Sequence, residues 1–193
     1  MMEALRKAIE AQGVGIGDSI VKVDSFLNHR IDVALSTEMG RALAEAFAED
    51  GVELVLTAEA SGIAVGLTTA QALGNVPLVF AKKGTPLNVG PNVYTANVYS
   101  FTKQVMNTIR VDRSYLPEGT RVLIVDDFLA NGEAVEGLRS LVEQAGCTLV
   151  GVGICVEKGF QQGGQRLRAS GVKYVPLAVV DAIENGKIVL REA

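Results

Sequence analysis

Cysteine and histidine, the residues that most metal and disulfide sites need, are scarce. The chain of 193 residues has two cysteines, Cys147 and Cys155, and one histidine, His29. No CxxC or Cys/His spacing occurs, which argues against a zinc knot or a disulfide framework and points to reduced, structural thiols. His29 has no partner ligands at a useful spacing and reads as structural. No run of about 18 apolar residues appears, so no segment is expected to span a membrane. The N-terminal MMEALRKAIEAQG lacks the apolar centre of a signal peptide and reads as an amphipathic helix ending at Gly13. Together these features give the expectation of a cytoplasmic protein. Basic charge is not in surplus, since the net charge is −4. That argues against nucleic acid as a partner but leaves room for a small phosphorylated ligand held locally. No internal repeat, low-complexity segment or long linker is present.

What is present is apolar patterning. Hydrophobic residues make up 48% and charged residues 21%, an ordinary globular balance with enough length for a substantial core. The middle of the chain alternates strand and helix patterns. ELVLT (53–57), VPLVFA (76–81), NVYTANVY (92–99), RVLIV (121–125) and TLVGVGICV (148–156) read as strands. IAVGLTTAQAL, stopped by Gly74, and the face formed by Ala134, Leu138, Leu141, Val142 and Ala145 read as helices. A further helix is expected over 36–50, with Met39, Leu43, Ala46 and Phe47 on one side. This alternation predicts an α/β fold with a doubly wound, mainly parallel sheet. Near the C-terminus, Asn185-Gly186 between apolar runs signals a two-residue hairpin. The whole chain, 1–193, is expected to form one domain, with a core of about 36–157 and a hood built from 1–35 and 158–193.

The stretch VLIVDDFLANGEA (122–134) holds the strongest chemical signal. Ligands of open α/β sheets gather at the carboxyl ends of the strands, where the pattern puts Asp126 and Asp127. Adjacent acids repel each other unless something hydrogen-bonding or positive meets them. After them a loop of small residues enters a helix, whose first amides and positive dipole end suit an anion. Carboxylates beside a phosphate cradle suit the hydroxyls of a sugar phosphate. An isolated DD or NG would be an ordinary turn; the five features in this order are specific.

These residues resemble the ribose-phosphate signature of the type I phosphoribosyltransferases. The segments VKVDSFLNHRID, EASGIA, VYSFTKQ and VEKGFQQGG are similar to purine-using members in the same order, so the likeness covers nearly the whole chain. It implies that Asp126 and Asp127 meet the ribose of phosphoribosyl pyrophosphate and that Ala130, Asn131, Gly132, Glu133 and Ala134 cradle its 5-phosphate. Many members carry threonines in this loop. ANGEA has none, which leaves backbone N–H groups and Asn131. Ala60, Ser61 and Gly62 match the pyrophosphate loop, although Ser61 also suits a helix cap, and Lys82 and Lys83 match a basic pair facing pyrophosphate. VYSFTKQVMN (98–107) resembles a flexible loop that closes over the substrates, where Lys103 can offer charge to the leaving group.

For the base, the resemblance points to Val21, Asn28, Phe128 and Lys158. It implies pentosyl transfer to a purine, with xanthine the expected base and guanine, hypoxanthine or adenine the alternatives. Mg2+ would enter with phosphoribosyl pyrophosphate and not in a dedicated protein cage. No resident metal site is expected, and a homodimer is. A nucleotide-sensing regulator on the same fold is the alternative of a different class. It fits less well, because the chain is acidic and has no surplus length for a DNA-binding unit.

Overall fold

The computed structural model describes residues 2–84, 92–100 and 104–192. The chain begins with helix α1 (Glu3–Gln12), followed by a small antiparallel pair, β1 (Val14–Ile16) and β2 (Ile20–Lys22), and one wide helical turn at Asp24–Asn28. Helix α2 (Val33–Ala46) starts earlier than the apolar pattern predicts. The Asp32 side chain accepts a hydrogen bond from the Leu35 N–H at 3.0 Å and so caps the first turn. Next come β3 (Leu54–Ala58), α3 (Gly62–Ala72) and β4 (Leu78–Lys83). An antiparallel hairpin, β5 (Val93–Ser100) and β6 (Val105–Asp112), leads to β7 (Arg121–Leu129). The remaining elements are α4 (Glu133–Gln144), β8 (Thr148–Lys158), α5 (Gly163–Ala169), β9 (Tyr174–Glu184) and β10 (Lys187–Leu190).

Eight strands form one sheet in the order β10-β9-β8-β7-β3-β4-β6-β5. Strands β9, β8, β7, β3 and β4 run parallel, while β10, β6 and β5 are antiparallel additions at the edges. The fold is therefore the α/β class with a mainly parallel sheet. Strand β3 is buried at every position, as a strand covered on both faces must be. Alternate residues feed two cores. Val55, Leu123 and Val125 join Leu5, Ile9, Met39, Leu43, Phe47 and Val65 on one face. Leu56, Val122, Ile124 and Ile154 join Leu138, Leu141 and Leu167 on the other. Each such fully buried side chain contributes roughly 1.5–3 kcal/mol of transfer free energy.

The two chain ends meet. The Met2 N–H donates to the Leu177 carbonyl at 2.8 Å and the Gly15 N–H to the Gly186 carbonyl at 3.0 Å. Asn185 and Gly186 both have positive φ, 50° and 79°, the geometry of the expected two-residue hairpin between β9 and β10. Residues 158–193 also extend the sheet, because β9 pairs in parallel with β8.

Three sequence expectations are modified. Strand β7 does not stop at Val125 but runs to Leu129, since its partner β8 continues beside it to Lys158. Asp126 and Asp127 therefore lie inside a strand. Lys158 is the last residue of β8 and does not follow it. Within the stretch 98–107, Val98, Tyr99 and Ser100 pair with Asn107, Met106 and Val105 as a two-stranded ribbon. Lys103 lies outside the described residues.

Candidate active site

Strand order reverses between β7 and β3, the place where an open α/β sheet leaves a crevice at its carboxyl edge. A cavity of about 620 Å³ opens there. Ala58 of β3 and Phe128 and Leu129 of β7 form its floor, while Val98, Tyr99, Asn107 and Ile109 of the β5–β6 ribbon wall one side.

One end is the ANGEA loop. Ala130, Asn131, Gly132, Glu133 and Ala134 all line the cavity. Gly132 has φ 96°, a left-handed conformation that turns the chain into α4. The first amides of α4 have no acceptor within the helix, and no side chain caps them. The loop is braced from behind. The Gly163 N–H donates to the Ala130 carbonyl at 3.0 Å, and Arg166 Nη1 donates to the Asn131 carbonyl at 3.4 Å while lying 3.6 Å from the Glu133 carboxylate. Two of the loop's carbonyls are thus turned to α5. The bracing by Gly163 and Arg166 was not foreseen from sequence; the Gly-Gly pair at 163–164 was its only visible sign.

Asp126 and Asp127 lie under the floor, 7% and 6% exposed. The Asp127 N–H donates to Asp126 Oδ1 at 3.0 Å. Burial pushes the Asp126 carboxyl well above the ordinary range, the neighbouring Asp127 adds to this, and Lys83 opposes it. The start of α3 packs directly on this acid. A Cβ at Gly62 would fall 2.4 Å from Asp126 Oδ1 and 2.2 Å from Thr57 Oγ1, so only glycine fits. Thr57, also unforeseen, is fully buried, and its hydroxyl has no hydrogen-bond partner among the described residues.

The neighbouring loop is held by Glu59. Its Oε1 accepts the Lys83 N–H at 2.6 Å, and its own N–H donates to the Ala81 carbonyl at 3.1 Å. Lys83 lines the cavity, whereas Lys82, Ala60 and Ser61 do not. The Ser61 hydroxyl does not cap α3, which removes its ordinary structural role.

A further polar part of the lining is Lys158, the last residue of β8. Its Nζ donates to the Ser19 carbonyl at 2.9 Å and lies 5.9 Å from the centre of the Phe128 ring. Half-burial lowers its pKa. Ser19, Ile20, Phe128 and Gln161 also line the cavity. Neighbouring Glu157 is not its partner: that carboxylate is taken by Arg168 and Tyr174 on the far side of β8. Two expected base-site residues fall outside the lining. Val21 is packed in the core, with its neighbours Ser19 and Ile20 reaching the cavity instead, and Asn28 is exposed at the end of the wide helical turn. Among the described residues no helix is long and apolar enough to cross a membrane.

No protein-family model matches the chain. Its fold is similar to that of adenine phosphoribosyltransferase from Rhodothermus marinus DSM 4252, with TM-score 0.72 and 26% identity over 92% of this chain and 98% of that one. It is also similar to the enzyme from Giardia lamblia complexed with 9-deazaadenine, with TM-score 0.75 and 20% identity over 93% and 97%. Fold and cavity thus define a phosphoribosyltransferase, an enzyme of pentosyl transfer.

Sequence relatives narrow this. The chain is 50% identical over 190 residues to xanthine phosphoribosyltransferase of Clostridioides difficile (strain 630), a match covering 98% of this chain and all of the relative. It is 47% identical over 192 residues to xanthine phosphoribosyltransferase of Streptococcus pneumoniae (strain P1031), covering 100% and 99%. The chain belongs to the xanthine phosphoribosyltransferase family.

Proposed function

We propose that the protein transfers the 5-phosphoribosyl group of phosphoribosyl pyrophosphate to xanthine, giving xanthosine 5'-monophosphate and pyrophosphate in cytoplasmic purine salvage. The observation that carries this reading is one cavity lined both by the ANGEA loop at the start of α4 and by Lys158. A nucleotide needs both, an anion site for its phosphate and polar groups for its base. In the reaction a ring nitrogen of xanthine bonds to the anomeric carbon as the carbon–oxygen bond to pyrophosphate breaks, and the ring nitrogen gives up its proton.

The cradle holds the 5-phosphate and Asp127 and Asp126 take the ribose hydroxyls. Ala60, Ser61, Gly62, Lys82 and Lys83 face the pyrophosphate. Positioning and charge stabilisation supply most of the acceleration in such a site. A hard divalent ion takes oxygen ligands, and the oxygen-rich surroundings of Asp126 and Asp127 fit one carried in by the substrate. Mg2+ bound to the pyrophosphate oxygens would offset their growing charge. Phe128 supports the base beside Lys158, Val21 backs this wall from the core behind Ile20, and Asn28 would have to turn in from the exposed end of the wide helical turn. Helix α1, the β1–β2 pair and the β9–β10 hairpin form the hood, held together by the bonds between the chain ends. Lys103, outside the described residues, would offer positive charge to the leaving pyrophosphate.

The same proposal includes a homodimer. Val33 of α2 and Leu67 of α3 are exposed, 72% and 58%, and offer apolar surface for a second copy. Sedimentation at micromolar concentration tests this part.

Nucleotide formation and pyrophosphate release, measured for xanthine, guanine, hypoxanthine and adenine with Mg2+ present, test the reading. Xanthine should give the highest kcat/KM. A higher value for another purine would reassign the base, and release with none of them would point to a nucleotide-sensing regulator.

A further inference from the structure

We propose that Arg166 is a positioning residue of the phosphate cradle and acts through Glu133. It draws the Glu133 carboxylate aside and cancels its charge, so that an anion can take the first amides of α4. This rests on the functional reading above and adds the residue that keeps its anion site open. Glu133 is the one charged residue of ANGEA, and it is an acid. It opens α4 and lines the cavity. An acid in the first turn suits the positive end of its own helix, which is also where a phosphate binds. Glu133 is therefore a built-in rival of the phosphate. It competes for the same field and repels a second negative charge.

The fold turns this rival away. Arg166 Nη1 lies 3.6 Å from Glu133 Oε1 and donates to the Asn131 carbonyl at 3.4 Å, while Nη2 donates to Gln162 Oε1 at 3.0 Å. Arg166 does not itself line the cavity, so its charge works from behind the loop. Gly163 makes this approach possible. A Cβ there would fall 2.5 Å from the Ala130 carbonyl oxygen and 3.0 Å from the Gly132 nitrogen. A larger residue would push α5 off the loop and carry Arg166 away from Glu133. The Arg166 and Glu133 side chains are 51% and 35% exposed, and a pair this open to water adds little to folding. Beside a bound phosphate the same charges count for more. One uncompensated acid in the cradle changes anion affinity several-fold, and salt screens the effect.

Calorimetric binding of phosphoribosyl pyrophosphate with Mg2+, compared at about 0.05 M and about 0.5 M salt, tests the assignment. Arg166→Met should bind about five- to twenty-fold more weakly than wild type at low salt, and the gap should narrow to about two-fold at high salt. Adding Glu133→Gln to Arg166→Met should recover most of the affinity, because the stranded charge is gone. Arg166→Lys should keep most of it. Glu133→Gln alone leaves the Arg166 charge uncancelled and should bind about two- to five-fold more tightly than wild type. Unchanged binding in Arg166→Met would overturn the proposal. A loss that salt does not reduce, or that the added Glu133→Gln does not relieve, would make Arg166 a backbone prop only and overturn it too. So would Glu133→Gln that binds no more tightly than wild type, a result that stands even where Arg166→Met fails to fold. Wild-type protein that binds no phosphoribosyl pyrophosphate would overturn the functional reading and this inference with it.

Discussion

The network behind β8 can be broken without touching the cavity lining, and its cost can be worked from the geometry. Glu157 is 1% exposed, and its carboxylate accepts Arg168 Nη2 at 2.6 Å, Arg168 Nη1 at 2.9 Å and the Tyr174 hydroxyl at 2.9 Å. Arg168→Met keeps an apolar stem but removes both charged donors, leaving a buried carboxylate with one phenol. Stranding one member of a buried ion pair costs about 3–5 kcal/mol. The Arg168 side chain is 46% exposed, so water already screens the pair and the expected loss is lower, about 2–3 kcal/mol. At a urea slope of roughly 2–3 kcal/mol/M the unfolding midpoint should drop by about 1 M. Adding Glu157→Gln removes the stranded charge and keeps a bond to Tyr174, so the double variant should recover part of the loss. Urea titrations followed by circular dichroism measure both. A single-variant loss below about 0.5 kcal/mol, or a double variant less stable than the single, would refute the reasoning.

Three further outcomes are expected. Gly132→Val puts a branched side chain at φ 96°, a strain of about 1–3 kcal/mol; it should raise the KM for phosphoribosyl pyrophosphate about ten-fold or more while changing that for purine little, and an unchanged binding isotherm would remove the loop from the site. Lys158→Met should lower kcat/KM for xanthine about ten-fold more than for guanine, and an equal loss for every base would sink its role in reading position 2. Because the folded Asp126 carboxyl is raised above its unfolded value, its stabilisation is complete below about pH 4 and is lost as pH rises toward the folded value. Asp126→Asn, always neutral, should therefore show a flatter fall in stability than wild type as pH rises above about 4, and parallel slopes in urea midpoints would contradict this.

The parts legible in the sequence were those encoded locally. The apolar alternation of 53–57 and 121–125 gave the buried parallel strands, Asn185-Gly186 gave the hairpin, and DDFLANGEA placed five lining residues of the cradle. What stayed hidden depends on pairing across the sheet. The length of β7 beyond Val125 is set by β8, not by its own composition. In β1–β2, a period of two sends Val21 into the core and leaves Ile20 exposed to the cavity, which a match at one position does not reveal. Thr57 meets Asp126 only through Gly62, and Glu157 meets Arg168 and Tyr174 across separations of 11 and 17 residues.

The bonds from Gly163 and Arg166 to the cradle loop carry a further consequence. The same short run of chain that ends β8 with Lys158 and continues through Gln161 also props the phosphate loop. Lys158 and the ANGEA loop are thus tied to one short run of chain, so a residue inserted or removed between 158 and 163 should disturb both parts of the lining together. Under the proposed reading, such a change of length would alter the use of purine and of phosphoribosyl pyrophosphate at once, where a change in either wall alone would alter one.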